Sequence, residues 1–261
     1  MQLAFAFSLL LAQALSTITA TRNLQVALEA AEGFIPSGGA INAPSARLRR
    51  HSSELSSSRS RRPHTMRMAA GFPVNNADAN QVAKVEVFMD MICPFCAKIS
   101  NTLIKEVAPR FPSVQFVYHH YVQPWHWQAS TLGQAAIVAY MLDSAPGKPN
   151  YVALVQQLFA QRDLFVDQAV EGESKAQVAD KIVKIAADVG FNAEQFKTYM
   201  TSGTPENDMV VKEQKLHTKY GRQNGIHVTP TVIVNGLVDN AISSGWTMQQ
   251  WSDHLKNAYG A

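Results

Sequence analysis

Cysteine is nearly absent from this sequence. Its 261 residues hold two, Cys93 and Cys96, both inside "MICPFCAKI". So low a count excludes a disulfide-stapled framework, and a chain of this length buries a core without one. A structural zinc site needs four ligands. There is no second cysteine pair, and His119, His120, His126, His217 and His227 do not fall at ligand spacing beside another ligand. No metal site is therefore expected. Lysine is missing from the first 83 residues, and acids are scarce in the first 70, where Glu29, Glu32 and Glu54 face eight arginines. The formal net charge of +3 thus belongs to the N-terminal stretch. From residue 82 onward sixteen acids meet fifteen bases. That balance has no electrostatic footprint for nucleic acid, so no nucleic-acid partner is expected.

Long apolar runs are lacking too. "LAFAFSLLLAQAL" (Leu3 to Leu15) is shorter than the ~20 residues that span a bilayer, and it has the length of a signal-peptide core. "APSARLRRHSSELSSSRSRRPHTMRMAAGF" follows, rich in Arg and Ser and without apolar periodicity, as in organelle transit peptides. Residues 1–20 are read as a signal peptide and 21–70 as a transit-like leader. Together they resemble the bipartite leader of proteins imported into plastids bounded by extra membranes. A secreted or ER-lumenal protein with a basic linker is the alternative. No stable membrane insertion of the mature domain is expected.

The remaining chain is patterned throughout. "KVEVFMD" (Lys84 to Asp90) reads as a strand. "CPFCAKISNTLIKEVA" switches to helical spacing, with Ile99, Leu103, Ile104 and Val107 on one face and Pro109 and Pro112 ending it. "VQFVYHHYV" (Val114 to Val122) is a second strand, so the domain opens as βαβ. Four to five helices follow between Pro124 and Tyr220. One has a capping box at Ser174 and Gln177, and another starts at Thr204 with Pro205 in the first helical position. "TPTVIVNG" (Thr229 to Gly236) returns to strand and ends in an Asn-Gly hairpin signal, with "LVDNAI" as its partner. "TMQQWSDHLKNAY" closes the chain as a helix. The fold class is α/β, ordered βαβ, helices, ββα.

A Cys-x-x-Cys pair at the start of a helix is chemically specific. Helix N-terminal N–H groups stabilise an anion, and a thiolate is one. Cys93, ahead of the helix, is positioned to face solvent and attack. Cys96, in the first turn, is within reach to resolve a mixed disulfide. Pro94 suits the first helical position. A buried, inert pair is the alternative. The second signal is Thr229-Pro230 at the start of a strand, where proline cannot donate to the ladder. A cis bond there leaves the Thr229 N–H and C=O free to pair with an extended peptide.

These residues resemble the thioredoxin superfamily. The 133 residues between Cys96 and Pro230 point to its DsbA-like branch, which carries a helical insertion in a thioredoxin-like fold. "VEVFMDMICPFC", "VYHHYVQPWHWQASTLGQAA" and "GIHVTPTVIVNG" carry the resemblance over residues 82–261, with 82–123 and 221–261 as the core and 124–220 as the insertion. It implies a thiol–disulfide oxidoreductase, with Cys93 and Cys96 catalytic and Pro94, Phe95, Thr229 and Pro230 contacting substrate. Implied partners are protein thiols or disulfides and a redox partner. The redox-active pair serves in place of a cofactor, glutathione is a candidate co-substrate, and the domain is expected to be a monomer. Other readings on the same scaffold are a glutathione-dependent transferase or isomerase, resembling the kappa-class transferases, and a non-catalytic peptide-binding module. The buried acid that thioredoxins often place six residues before the first cysteine is replaced here by Val87. Glu86 and Asp90 are the nearby candidates for proton transfer. Trp125 and Trp127 are read as core filling for the insertion, with a peptide groove as the alternative.

Overall fold

A computed structural model describes residues 71–77 and 80–261; the expected leader lies outside them. A five-stranded sheet is built from β1 (Phe72–Pro73), β2 (Ala83–Met89), β3 (Val114–His120), β4 (Thr231–Val234) and β5 (Leu237–Val238), in the order β1-β3-β2-β4-β5. β2 and β3 run parallel, while β4 is antiparallel to β2 and β5 to β4. The sequence "AKVEVFM" departs from simple alternation because β2 is the central strand and both its faces are covered. β1 pairs antiparallel with the outer edge of β3, ahead of the start at residue 82 that the motifs suggest. A two-residue strand is too short to leave a period-2 pattern.

Seven α-helices are described: α1 (Pro94–Thr102), α2 (Ala129–Leu142), α3 (Pro149–Ala160), α4 (Lys175–Asp188), α5 (Ala193–Met200), α6 (Pro205–Gln223) and α7 (Met248–Tyr259). α1 joins β2 to β3. It does not end cleanly at its prolines but passes through a π turn (Leu103–Val107) into a 3₁₀ turn (Ala108–Arg110). Pro109 has no N–H to donate back to Lys105, so the α ladder cannot continue there and the chain changes pitch. The capping box at Ser174 and Gln177 starts α4, and the Thr204 side chain caps α6 ahead of Pro205. Helices α2 to α6 form the insertion, and α6 runs unbroken to Gln223, past residue 220. The β4–β5 turn is Asn235-Gly236, both at positive φ (50° and 86°), as a two-residue hairpin with right-handed strand twist demands.

The two faces of β2 define two environments. Val85, Val87 and Met89 join the main core with Ile99, Leu103 and Trp251, and both cysteines belong to this cluster. Phe88 faces the other way, into a smaller cluster with Tyr121, Ile226 and Ile233. Gly221 of α6 lies against that second face. A Cβ there would sit 2.4 Å from the Tyr121 ring, so only glycine lets the ring pack on the helix while its hydroxyl donates to the Ile226 carbonyl at 2.9 Å. That contact fixes the chain just ahead of Thr229.

Candidate active site

Cys93 is the N-cap of α1 and Pro94 is its first residue. The N–H groups of Cys96 and Ala97 turn back to the Cys93 carbonyl at 3.1 Å each, closing the first turn around the two thiols. Both cysteines are free thiols here. Cys93 keeps 8% of its surface and Cys96 none, so Cys93 is the open one of the pair, though more covered than a cap residue facing solvent would be. The cover is the loop before β4. Thr229-Pro230 is a cis peptide, and the Thr229 carbonyl accepts from Cys93 Sγ at 3.4 Å. Phe95, between the cysteines, is 61% exposed.

The two thiols are electrostatically unlike. The Cys93 pKa is lowered from an ordinary 9.0 to about 6. The largest cause is a hydrogen bond from the Cys96 thiol, which outweighs burial. The N–H groups of Cys96 and Phe95 add to it, as does the Thr229 side chain. The two N–H groups belong to the first turn of α1, so the helix N-terminus faces this one sulfur. The Thr229 carbonyl works the other way, because a thiolate cannot donate to it, but the donors outnumber it. Cys96 is pushed well above its ordinary value, first by burial and then by donating to a neighbouring thiolate. One attacking sulfur is therefore ionised near neutral pH while its partner stays a thiol.

Asp90 holds this arrangement in place. It is buried at the end of β2. Oδ1 accepts from the Ile92 N–H at 2.7 Å and Oδ2 from the Gln123 N–H at 2.8 Å, with His126 Nδ1 3.3 Å from Oδ1. Its carbonyl accepts from the Cys93 N–H at 3.2 Å. One carboxylate thus ties the cysteine loop to the segment that follows β3. Gln123 extends the tie, donating from Nε2 to the His227 carbonyl at 3.3 Å and reaching Thr229 Oγ1 at 3.5 Å. Arg162 Nη1, from the insertion, donates to the Ile92 carbonyl at 3.2 Å. The sequence marks Asp90 by motif but gives no sign of Gln123 or Arg162, because each acts through backbone that is distant along the chain.

Glu86 does not reach the dithiol. Alternation on β2 puts it on the Phe88 face, where it accepts from Lys84 Nζ at 2.9 Å and His119 Nε2 at 3.0 Å, with the Tyr220 hydroxyl at 3.4 Å. Burial pushes the Glu86 pKa up, but the hydrogen bonds from His119 and Lys84 prevail and hold it below the ordinary value. His119 is lowered to about 4, chiefly by burial, so at neutral pH it is an uncharged donor to a carboxylate. On the cysteine side, Val87 pairs in register with Tyr118. The Tyr118 hydroxyl donates to Ser100 Oγ at 3.2 Å, and Ser100 lies one helical turn beyond Cys96.

The two tryptophans are not core filling. Trp125 is 60% exposed and Trp127 47%. The buried faces of α2 are supplied by Leu132, Ala135, Ile137 and Val138 instead, which leaves the "QPWHWQ" turn on the surface beside His126. Among the described residues, no group of three His, Cys, Asp or Glu gathers to hold a metal, and no helix is long and apolar enough to cross a membrane.

A dithiol at a helix N-terminus thus lies under a cis-proline loop, and known proteins share the fold around it. The family model described as thioredoxin matches residues 76–254. A structure from Pseudomonas syringae, described as a candidate protein-disulfide isomerase, is 30% identical, with 67% of this chain and 94% of that one covered and a TM-score of 0.54. The thiol-disulfide exchange protein α-DsbA2 of Wolbachia pipientis (14% identity, 71% and 87% covered, TM-score 0.55) and oxidised BdbD of Bacillus subtilis (13%, 72% and 94%, 0.54) share the fold. No curated protein matches the chain. The chain belongs to the thioredoxin family, and its fold, with a helical insertion between the βαβ and ββα halves, is the DsbA-like one.

Proposed function

We propose that this protein is a thiol–disulfide oxidoreductase acting on protein substrates through Cys93 and Cys96. The observation that carries the reading is the split between the sulfurs, a thiolate stabilised to about 6 beside a buried thiol held well above 9.0, with the Thr229 backbone against the first. The Cys93 thiolate attacks one sulfur of a substrate disulfide, the other leaves as a thiolate, and a mixed disulfide forms. Cys96 loses its proton to solvent and attacks Cys93 Sγ. The mixed disulfide breaks, the second substrate thiolate leaves, and the pair is oxidised by two electrons while the substrate is reduced. The reverse sequence oxidises a substrate dithiol. Stabilising the thiolate stabilises the reduced protein, which makes its disulfide the better electron acceptor. A reduction potential between the roughly −270 mV of thioredoxin and the roughly −120 mV of DsbA follows.

Pro94 and Phe95 present the face beside the attacking sulfur, and the Thr229-Pro230 loop offers backbone to an extended substrate. The test is Cys93→Ser, which should abolish exchange, against Cys96→Ser, which should accumulate a mixed disulfide seen on non-reducing gels. Full turnover by Cys93→Ser refutes the mechanism. Retention of the second thiol distinguishes this reading from a glutathione transferase. Glutathione is proposed as a small co-substrate that sets the redox state of the pair, checked by titrating it in glutathione buffers. The leader is proposed to direct the chain into the secretory pathway and on to a plastid, and imaging of the tagged full chain tests that.

A further inference from the structure

A cleft of about 820 Å³ reaches Gln123 and His227, beside the Thr229 loop that covers Cys93, and the redox steps make no use of it. One wall is α6, and the other is the segment after β3 with the start of α2. Lys215, Lys219 and Arg222 line it at spacings of four and three, which puts all three on one face of the helix. All three are exposed, none forms an ion pair among the described residues, and no carboxylate lines the cleft. Glu213 is turned away, buried against His217 at 3.4 Å. For a domain whose acids and bases nearly balance, this is a local concentration of unneutralised positive charge.

The floor is polar. Gln134 Nε2 donates to Gln214 Oε1 at 2.9 Å, and Gln214 Nε2 donates to the Ser130 carbonyl at 2.8 Å. Gln134 is 4% exposed, and its Oε1 has no hydrogen-bond partner. The end nearest the dithiol is Gln123 and His227, which lead directly into the Thr229 loop.

We propose that this cleft binds an acidic segment of the client polypeptide adjoining its reactive cysteine, a proposal that rests on the oxidoreductase reading above. From Lys215 to Arg222 the helix rises about 10 Å. That is the span of about three residues of extended chain. Alternate carboxylates of such a segment face the cations, and its chain runs on past Gln123 and His227 toward the Thr229 loop. An inorganic anion neutralises the cations but fills little of the volume.

The test uses three disulfide-bearing peptides of equal length, with Glu, Ser or Lys flanking the cysteine, reacted with the reduced full chain. The acidic peptide should react with kcat/KM about tenfold above the Ser peptide at low salt, mostly through KM, with the advantage shrinking as salt rises. In K215E/K219E/R222E the order within that protein should invert, and in the Gln triple variant the advantage should vanish. Equal rates for the three peptides in the unmodified protein overturn the proposal. So does an acidic advantage that survives in the Gln variant, whose fold is checked by circular dichroism. Inorganic phosphate competing as well as a cysteine-free acidic peptide assigns the cleft to small anions and overturns the peptide. If a small uncharged linear disulfide such as bis(2-hydroxyethyl) disulfide, supplied in excess, does not turn over at all, it is the oxidoreductase reading that fails.

Discussion

The two faces of β2 are both buried and are built on opposite principles. On one, Val85, Val87 and Met89 surround the cysteines with apolar side chains, and the polar groups nearby are the Tyr118 and Ser100 hydroxyls, with His120 held by Tyr151 at the strand end. On the other, Glu86 gathers Lys84, His119 and Tyr220 into a charged, hydrogen-bonded cluster. The acid in this region of the strand thus serves the fold, and the cysteines share their own proton instead. Cys96 holds Cys93 ionised by donating to it, a contact that leads the lowering of Cys93 and adds to the burial that raises Cys96. Buried charge is tolerable only where it is paired. The thiolate finds its partners at a helix end, and the carboxylate finds its partners across the strands.

The largest effect that would break this contrast is on Cys93 itself. At pH 7 a pKa of about 6 leaves about nine-tenths of the sulfur ionised, against about one-hundredth at 9.0. Cys96→Ala removes the leading donor, so the pH midpoint of Cys93 alkylation by iodoacetamide should climb from about 6 toward 9.0, whereas Cys96→Ser keeps a donor and should stay low. A midpoint that remains near 6 in Cys96→Ala assigns the shift to the helix end alone. Stability carries the same signature. Between about 6 and 9.0 the folded thiol has lost a proton that the unfolded one retains, so the reduced protein should gain stability over Cys93→Ser as pH rises through that window. The gain is absent below it and complete above. Cys96, shifted upward, acts only above 9.0, where its contribution falls with pH.

Glu86→Gln comes next. It leaves Lys84 and His119 without a carboxylate and should cost about 1–3 kcal/mol in urea unfolding at neutral pH. Because the Glu86 pKa is held below 4.5, its stabilisation is present above that value and fades as pH drops toward the folded value, so the cost should shrink in acid. The alkylation midpoint of Cys93 should remain where it was. A shift of the midpoint in Glu86→Gln would mean that the two faces communicate.

How much of this could be read from sequence depended on the range of each interaction. Cys93, Cys96, Pro94 and the Asn235-Gly236 turn act within a few residues of themselves, and their neighbours in the chain disclose them. Thr229-Pro230 became informative once paired with the cysteines. The strands β2 and β3 and the capped helices were legible from period and caps. The grip of Asp90 on Gln123, the tie from Arg162 to Ile92, and the pairing of β1 with β3 span dozens of residues and leave no local period. Trp125 and Trp127 misled because large aromatics usually bury, and here the aliphatic residues Leu132, Ile137 and Val138 already fill the α2 interface. The Lys215, Lys219 and Arg222 face is visible as a helical stripe, but only packing shows that it walls a cleft.

The smallest expected effect is the most discriminating for the cysteine face. Tyr118→Phe removes a fully buried hydroxyl and leaves Ser100 Oγ without its donor, at about 1 kcal/mol. Burial, the leading cause, holds the Tyr118 pKa above its ordinary 10.0, and the nearby Cys96 charge pushes the same way, so this hydroxyl stays protonated and does not accept a proton at neutral pH. The attack of Cys96 on a preformed mixed disulfide, followed by rapid quench, should therefore change by less than about threefold, since a general base contributes on the order of a hundredfold or more where one operates. A hundredfold loss would show that the hydroxyl pair carries the Cys96 proton. The apolar face would then hold a relay of its own, and the exit to solvent proposed for that proton would be wrong.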